Sequence, residues 1–230
     1  PGIKITYDYK TNGGTSATKT TDTIKRDSQV DLKPTATKPG WVFVGWNTDK
    51  NANKGLTSLK AGTKDITLYA IFSKTYKVTF TYYEGTAQKN QVVPITIWNT
   101  ATSGKINTPS VTGTYSDYTK NGWTLSKDPT TTAGIGEGAE TTVNADTTYY
   151  MLYKKTIYAT LYTYNNQSTK KSGTIAANSA NIGNILNANI ALGTTSLSGY
   201  NFRGWSTAKE ANAGITINAN GTASIKVDTS

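Results

Sequence analysis

Carboxylates are the first place to look for chemistry in this sequence, because it contains no histidine and no cysteine. The commonest general acid/base and metal ligand is therefore missing, and so are thiolate sites and disulfides. Glu137 and Glu140 form the nearest pair, in Gly134-Ile135-Gly136-Glu137-Gly138-Ala139-Glu140. A glycosidase needs two such groups flanking a cleft. These two lie on a glycine-rich turn, where a solvated loop is the expected reading. The same Gly-Ile-Gly-Glu-Gly stretch lacks the lysine and the strand–helix setting of a phosphate-binding loop. Serine and threonine are abundant, but no histidine base is present to activate them, and there is no Gly-x-Ser-x-Gly motif. Asp49, Asp128 and Glu210 each follow a Gly-Trp dipeptide, and one acid per loop supplies too few oxygens for a dedicated Ca²⁺ site. The expectation is a chain with no catalytic residue, no cofactor and no metal.

Net charge is +10, and the basic residues are 22 Lys against two Arg, Arg26 and Arg203. Arginine is the preferred fork for phosphates and base edges, so a lysine surface argues against sequence-specific nucleic-acid binding. Solubility is the first reading of that charge and attraction to polyanions the second. Residues 1–75 carry 12 basic against 6 acidic groups, residues 76–156 carry 7 against 6, and residues 157–230 carry 5 against 2. A polyanion is therefore expected to meet the first segment, around Lys10, Lys19, Lys25, Arg26 and Lys33. Carbohydrate or protein partners remain open.

Gly-Trp is the sequence's repeated signature. It occurs at Gly45-Trp46, Gly122-Trp123 and Gly204-Trp205, and each time a polar stretch returns the chain through Gly55, Gly134 or Gly214. The Trp spacings, 77 and 82 residues, are domain-sized. Exposed Trp residues stack on sugars, but recurrence at one place in three small modules favours a core anchor, with Gly permitting a tight entry. Trp41 and Trp98, which do not recur in all copies, are the better candidates for exposure.

The elements that must hold these residues read as strands. Only 36% of the chain is hydrophobic, and 15 Tyr and 5 Trp dominate its aromatic part. Together with Thr, Val and Ile they suit half-buried pleated surfaces. Alternation marks opening strands at 3–9, 76–82 and 157–162 and closing strands at 66–72 and 147–153. Three modules follow, 1–75, 76–156 and 157–230, with the short polar joints Ser73-Lys74-Thr75 and Lys154-Lys155-Thr156 giving a stiff, elongated array. Asp228 aligns with Asp65 and Asp146, so the third module is expected to lack its final strand and to present an open sheet edge. No leader peptide is visible, and the uncharged run 172–202 is too polar to span a bilayer. The fragment is expected to be soluble and cut from a longer protein.

In the third module Ile182, Ile185, Leu186 and Ile190 share one helical face, with Asn178 or Ser179 as N-cap and Gly193 as the stop. Pro34 and Pro39 keep any helix in the first module very short. Four strands and one small helix per module predict an α+β, β-dominated, β-grasp-like layout.

The segment Lys38-Pro39-Gly40-Trp41-Val42-Phe43-Val44-Gly45-Trp46-Asn47-Thr48-Asp49, followed by Ile66-Thr67-Leu68-Tyr69-Ala70-Ile71-Phe72, resembles the internalin B-repeat, also called the Listeria–Bacteroides repeat. The third copy carries the pattern in Gly199-Tyr200-Asn201-Phe202-Arg203-Gly204-Trp205. The second departs from it: Tyr118 keeps the first aromatic, but Lys120 stands where Phe43 and Phe202 stand, so packing there is expected to differ. The resemblance implies a β-grasp module of extracellular bacterial surface proteins. Its implied role is to present other domains, with adhesion or partner binding in some members.

Overall fold

A computed structural model describes residues 2–127, 134–163, 167–178, 185–202, 205 and 222–228. They contain fourteen strands, β1 (Ile3–Asp8), β2 (Ser16–Ala17), β3 (Thr21–Ile24), β4 (Ala36–Thr37), β5 (Val42–Asn47), β6 (Ile66–Glu84), β7 (Ala87–Trp98), β8 (Gly104–Asn107), β9 (Thr119–Thr124), β10 (Glu140–Val143), β11 (Thr147–Tyr162), β12 (Ser168–Asn178), β13 (Ile185–Ala191) and β14 (Thr222–Asp228).

The expected α+β, β-grasp-like layout is overturned: among the described residues the architecture is all-β, with no helix. The place read as a helix in the third copy holds β13, paired antiparallel with β14 over seven residues, from Ile185↔Asp228 to Ala191↔Thr222. Leu186, Ala188 and Ile190 alternate with Asn187 and Asn189, a period-two pattern inside the apparent helical face. Asn is a poor helix former, and a full ladder satisfies the backbone without one. Asn178 ends a strand rather than capping a helix. Gly193 follows the strand with φ +71°. Ile182 and Ser179 lie outside the described residues. In the first copy, Ser16–Ala17 pairs with Ala36–Thr37 in place of a helix.

The chain divides into two compact units. One comprises Pro1–Val78, Val93–Ile106 and Glu140–Thr147, and the other Thr79–Val92, Asn107–Ala139 and Thr148–Ser230. In the first unit β1 turns Ile3, Ile5 and Tyr7 inward and leaves Lys4 outside. It pairs antiparallel with β3 and parallel with the start of β6, Ile5↔Ile66 through Asp8↔Tyr69. β5 pairs antiparallel with β6 along its other edge, with a register shift between Phe43 and Gly45. The start of β6 is thus enclosed by β1 and β5, and its Leu68, Ala70, Ile71 and Phe72 are fully buried. Asp65 fixes the parallel register, its Oδ1 accepting from the Lys4 amide at 2.8 Å.

The same devices recur in the second copy. Asp146 Oδ1 accepts from the Lys77 amide, again at 2.8 Å. In the second unit β6 neighbours β11, and β11 carries β9 antiparallel from Tyr150↔Thr124 to Lys154↔Thr119. Tyr149, Met151, Leu152 and Tyr153 are buried there as Leu68, Ala70, Ile71 and Phe72 are in the first unit. The later part of β11 forms a long hairpin with β12, Leu152↔Asn178 through Tyr162↔Ser168.

Burial pushes the Tyr153 hydroxyl up to about 12, against the lowering effect of the Tyr83 amide that donates to it at 2.8 Å. A raised phenol is bound to its proton in the native state at pH values where the unfolded chain has lost it. Its stabilising contribution is therefore complete below about pH 10 and is lost as pH climbs towards 12. Alkaline titration of unfolding should show that loss, and Tyr153→Phe should flatten the profile between those limits.

Candidate functional site

The indole of each Gly-Trp pair donates to a backbone carbonyl upstream. Trp46 and Trp123 are 1% and 0% exposed. The Trp46 indole N–H donates to the Pro34 carbonyl at 2.6 Å and that of Trp123 to the Pro109 carbonyl at 3.1 Å. In the third copy the Trp205 indole donates to the Gly193 carbonyl at 2.8 Å. Each acceptor lies 12 or 14 residues upstream, so the indole ties the Gly-Trp strand to the segment that leads into it. An aromatic ring meets each Trp edge-on. Tyr7 lies 5.2 Å from Trp46, and Phe80 lies 4.9 Å from Trp123. Phe43 meets Trp46 and Phe202 meets Trp205 at the same 5.4 Å and 66°. Trp205 itself is only partly buried, against Leu161 and Leu192.

The glycines preceding Trp46 and Trp123 have positive φ, +145° at Gly45 and +86° at Gly122. A Cβ on Gly45 would stand 2.9 Å from the Gly55 Cα, and one on Gly122 would stand 2.4 Å from the Ile135 carbonyl oxygen. The polar stretch after each Trp therefore returns against the backbone of its own Gly-Trp. Leu56 N–H donates to the Trp46 carbonyl, and Trp123 and Ile135 exchange both backbone bonds. The paired glycines of the signature are the two sides of that contact.

The loop after Trp46 is held from beneath by buried amides. Asn12 Nδ2 donates to the Lys50 and Ala70 carbonyls, and Asn99 Nδ2 to those of Lys50 and Ala52. Asp49 Oδ1 accepts from the Asn51 amide within the loop, an Asx-type closure. Asp128 and Glu210 lie outside the described residues. Sequence reading missed Asn12 and Asn99. Their only signal is a lone Asn after an apolar strand, which usually marks a turn.

Glu137 and Glu140 each engage a different lysine. Glu137 Oε1 accepts from Lys120 Nζ at 2.9 Å and from the Val111 amide at 2.8 Å, and Lys120 also donates to the Val111 carbonyl. Glu140 meets Lys105 at 2.7 Å. Lys120 thus answers for the aromatic that the second copy lacks: a hydrogen-bonded ion pair stands where Phe43 and Phe202 stand. Both its side chains are mostly buried, 20% and 25% exposed. Glu137→Gln should cost about 1–2 kcal/mol by leaving the ammonium a weaker partner, and adding Lys120→Phe should recover most of it. Urea denaturation of the single and double variants checks this.

Of the proposed polyanion contacts, Lys10, Lys25, Arg26 and Lys33 are exposed and Lys19 is partly buried. Lys19 is held by Asp22 at 2.6 Å and Arg26 by Asp27 at 3.6 Å. The hydrogen bond from Lys19 holds the Asp22 carboxyl below its usual range. Two of the five cations are thus partly neutralised. Trp41 and Trp98 are partly buried, and Lys38 Nζ sits 3.7 Å over the Trp41 ring. Among the described residues no three acidic side chains gather where a metal could bind.

The family model of the Listeria-Bacteroides repeat domain matches residues 4–71. That segment is thus similar to a Listeria-Bacteroides repeat. The match runs from β1 into the start of β6, so the repeat contains both enclosing strands, the Gly-Trp corner and the Asp65 clamp. The repeat is a module of bacterial surface proteins. No curated protein and no solved structure matches the chain.

Proposed function

We propose that this chain is a non-catalytic region of three tandem repeats, 1–75, 76–156 and 157–230, in a protein displayed outside the bacterial cell. Its role is that of a spacer that also takes part in adhesion, as in internalin-like proteins. The observation that carries this reading is the use of the signature residues. The indoles of all three copies donate to the backbone of their own copy, Gly45 and Gly122 admit the returning chain, and the loop acid Asp49 closes its own turn. Groups engaged in this way support a scaffold. Glu137 and Glu140, tied to separate lysines, give no acid–base pair to a hydrolase.

A second reading is kept because charge is uneven. The first copy carries 12 basic against 6 acidic residues, and Lys10, Lys25 and Lys33 are exposed. It would make that copy a binder of anionic host or wall glycans. Screening the 230-residue protein on a glycan array separates the two. Under the glycan-binding reading, anionic glycans are retained and the retention weakens steeply with salt, as screening of exposed charges requires, whereas the scaffold reading predicts no glycan-selective retention. Failure to retain any anionic glycan even at low salt would remove the second reading, and turnover of any arrayed glycan would defeat the non-catalytic reading.

A further inference from the structure

The joint between the first two copies is not an open linker. β6 runs unbroken from Ile66 to Glu84 through Ser73-Lys74-Thr75. It pairs with β7, and the Thr75 and Thr96 hydroxyls meet at 2.9 Å. Val93–Ile106, from the second copy, belongs to the same compact unit as Pro1–Val78.

Asn99, in the turn that follows β7, directs all of its polar groups at the first copy. Its amide donates to the Phe72 carbonyl at 2.8 Å, and its Oδ1 accepts from the Phe72 amide at 3.0 Å. Its Nδ2 donates to the Lys50 and Ala52 carbonyls at 3.2 and 2.9 Å, and its own carbonyl accepts from Lys38 Nζ. The Lys50 carbonyl also accepts from Asn12 Nδ2 at 3.0 Å, so both copies grip the same loop. Asn99 is 6% exposed and takes φ +56°. Glycine, asparagine and aspartate adopt that left-handed backbone most readily. Of the three, only asparagine has a side chain that accepts from one backbone group and donates to two others. Residue type and conformation are therefore fitted to a loop in the neighbouring copy.

We propose that the return loop after Trp46 is a docking site for the copy that follows, and that Asn99 is the residue that latches it. The first copy is completed by its successor, and a successor fits only where it offers an asparagine in this left-handed turn. The latch rests on the division into copies at residue 75. To the scaffold reading it adds a rule for which copy can stand next to the first.

Asn99→Asp and Asn99→Gly in the 230-residue protein separate the latch from the turn, since both residues accept the left-handed backbone. Asp keeps an acceptor for the Phe72 amide but sets a carboxylate against the Lys50 and Ala52 carbonyls. Gly removes the acceptor and the donors together. Trypsin cleavage after Lys50 and Lys54, mapped by mass spectrometry, reports release of the loop, with Lys25 and Lys60 as reference sites in the same molecule. In both variants the loop sites should be cut at least roughly tenfold faster relative to the reference, because cleavage follows local opening. Hydrogen exchange at the Phe72 amide should stay slow in Asn99→Asp and rise in Asn99→Gly. The latch is refuted if the loop sites keep their parent ratio to the reference in both variants. It is equally refuted if all four sites speed up together, since a general loss of stability then accounts for the cutting. Either result leaves the scaffold reading to its own test on the glycan array.

Discussion

Replacing Trp46 with Ala should unfold the first unit at ambient temperature. The indole is 1% exposed, meets Tyr7 and Phe43 edge-on, and donates to the Pro34 carbonyl from within the core. Truncating a buried Trp costs about 3–5 kcal/mol in lost transfer and cavity terms. The Pro34 carbonyl, left without its donor, adds about 1–3 kcal/mol unless water reaches it. Small domains have only about 5–15 kcal/mol in reserve, so the sum is a large part of the total. Guanidinium titration followed by near-UV dichroism should show the transition moved to low denaturant or lost. Trp46→Phe should fall between, since it keeps an aromatic in the core and loses only the indole hydrogen bond and part of the volume. A Trp46→Ala protein as stable as the parent would mean that the indole is dispensable to the core.

Gly122→Ala should produce the second large effect, through backbone rather than packing. Its φ of +86° is strained for any L side chain, and the new Cβ would meet the Ile135 carbonyl at 2.4 Å. A non-glycine residue in such a region costs about 1–3 kcal/mol before the clash is counted. The clash also breaks the exchange of hydrogen bonds between Trp123 and Ile135. A loss of about 3 kcal/mol is expected, measured as a lowered denaturation midpoint with unchanged slope. Gly138→Ala is the matched control. Its φ is +77°, yet a Cβ there meets nothing within 4 Å, so it should cost only the conformational part.

Much of this was legible in the residues. Period-two alternation located the opening and closing strands, because a strand buried on one face must alternate. The thrice-repeated Gly-Trp pointed to a core anchor, and the family resemblance rested on the same residues. What misled was the stretch from Ile182 to Ile190. Apolar residues at i, i+3, i+4 and i+8 read as a helix, although Leu186, Ala188 and Ile190 fit a strand equally well. Seven paired residues of β14, distant in sequence, decide between them. Local pattern contains no information about such a partner.

The substitution of Lys120 for the family's Phe was visible, but its remedy was not. Glu137 lies 17 residues downstream on a turn that looked solvated, and only folding brings it to Lys120 and the Val111 amide. The buried Asn12 and Asn99 were hidden for a related reason. Their acceptors are carbonyls of loop residues 50 and 52 and of strand residue 70, and any residue type offers a carbonyl.

The central claim is that the signature tryptophans serve the fold and not a ligand. Indole N–H exchange in the ¹⁵N-labelled protein, recorded with and without glycans that stack on exposed Trp, tests it most directly. The account predicts that the Trp46 and Trp123 indole protons exchange slowly, near the rate of global unfolding, and do not shift on titration. Rapid exchange of either proton, or a saturable shift on adding a glycan, would contradict it.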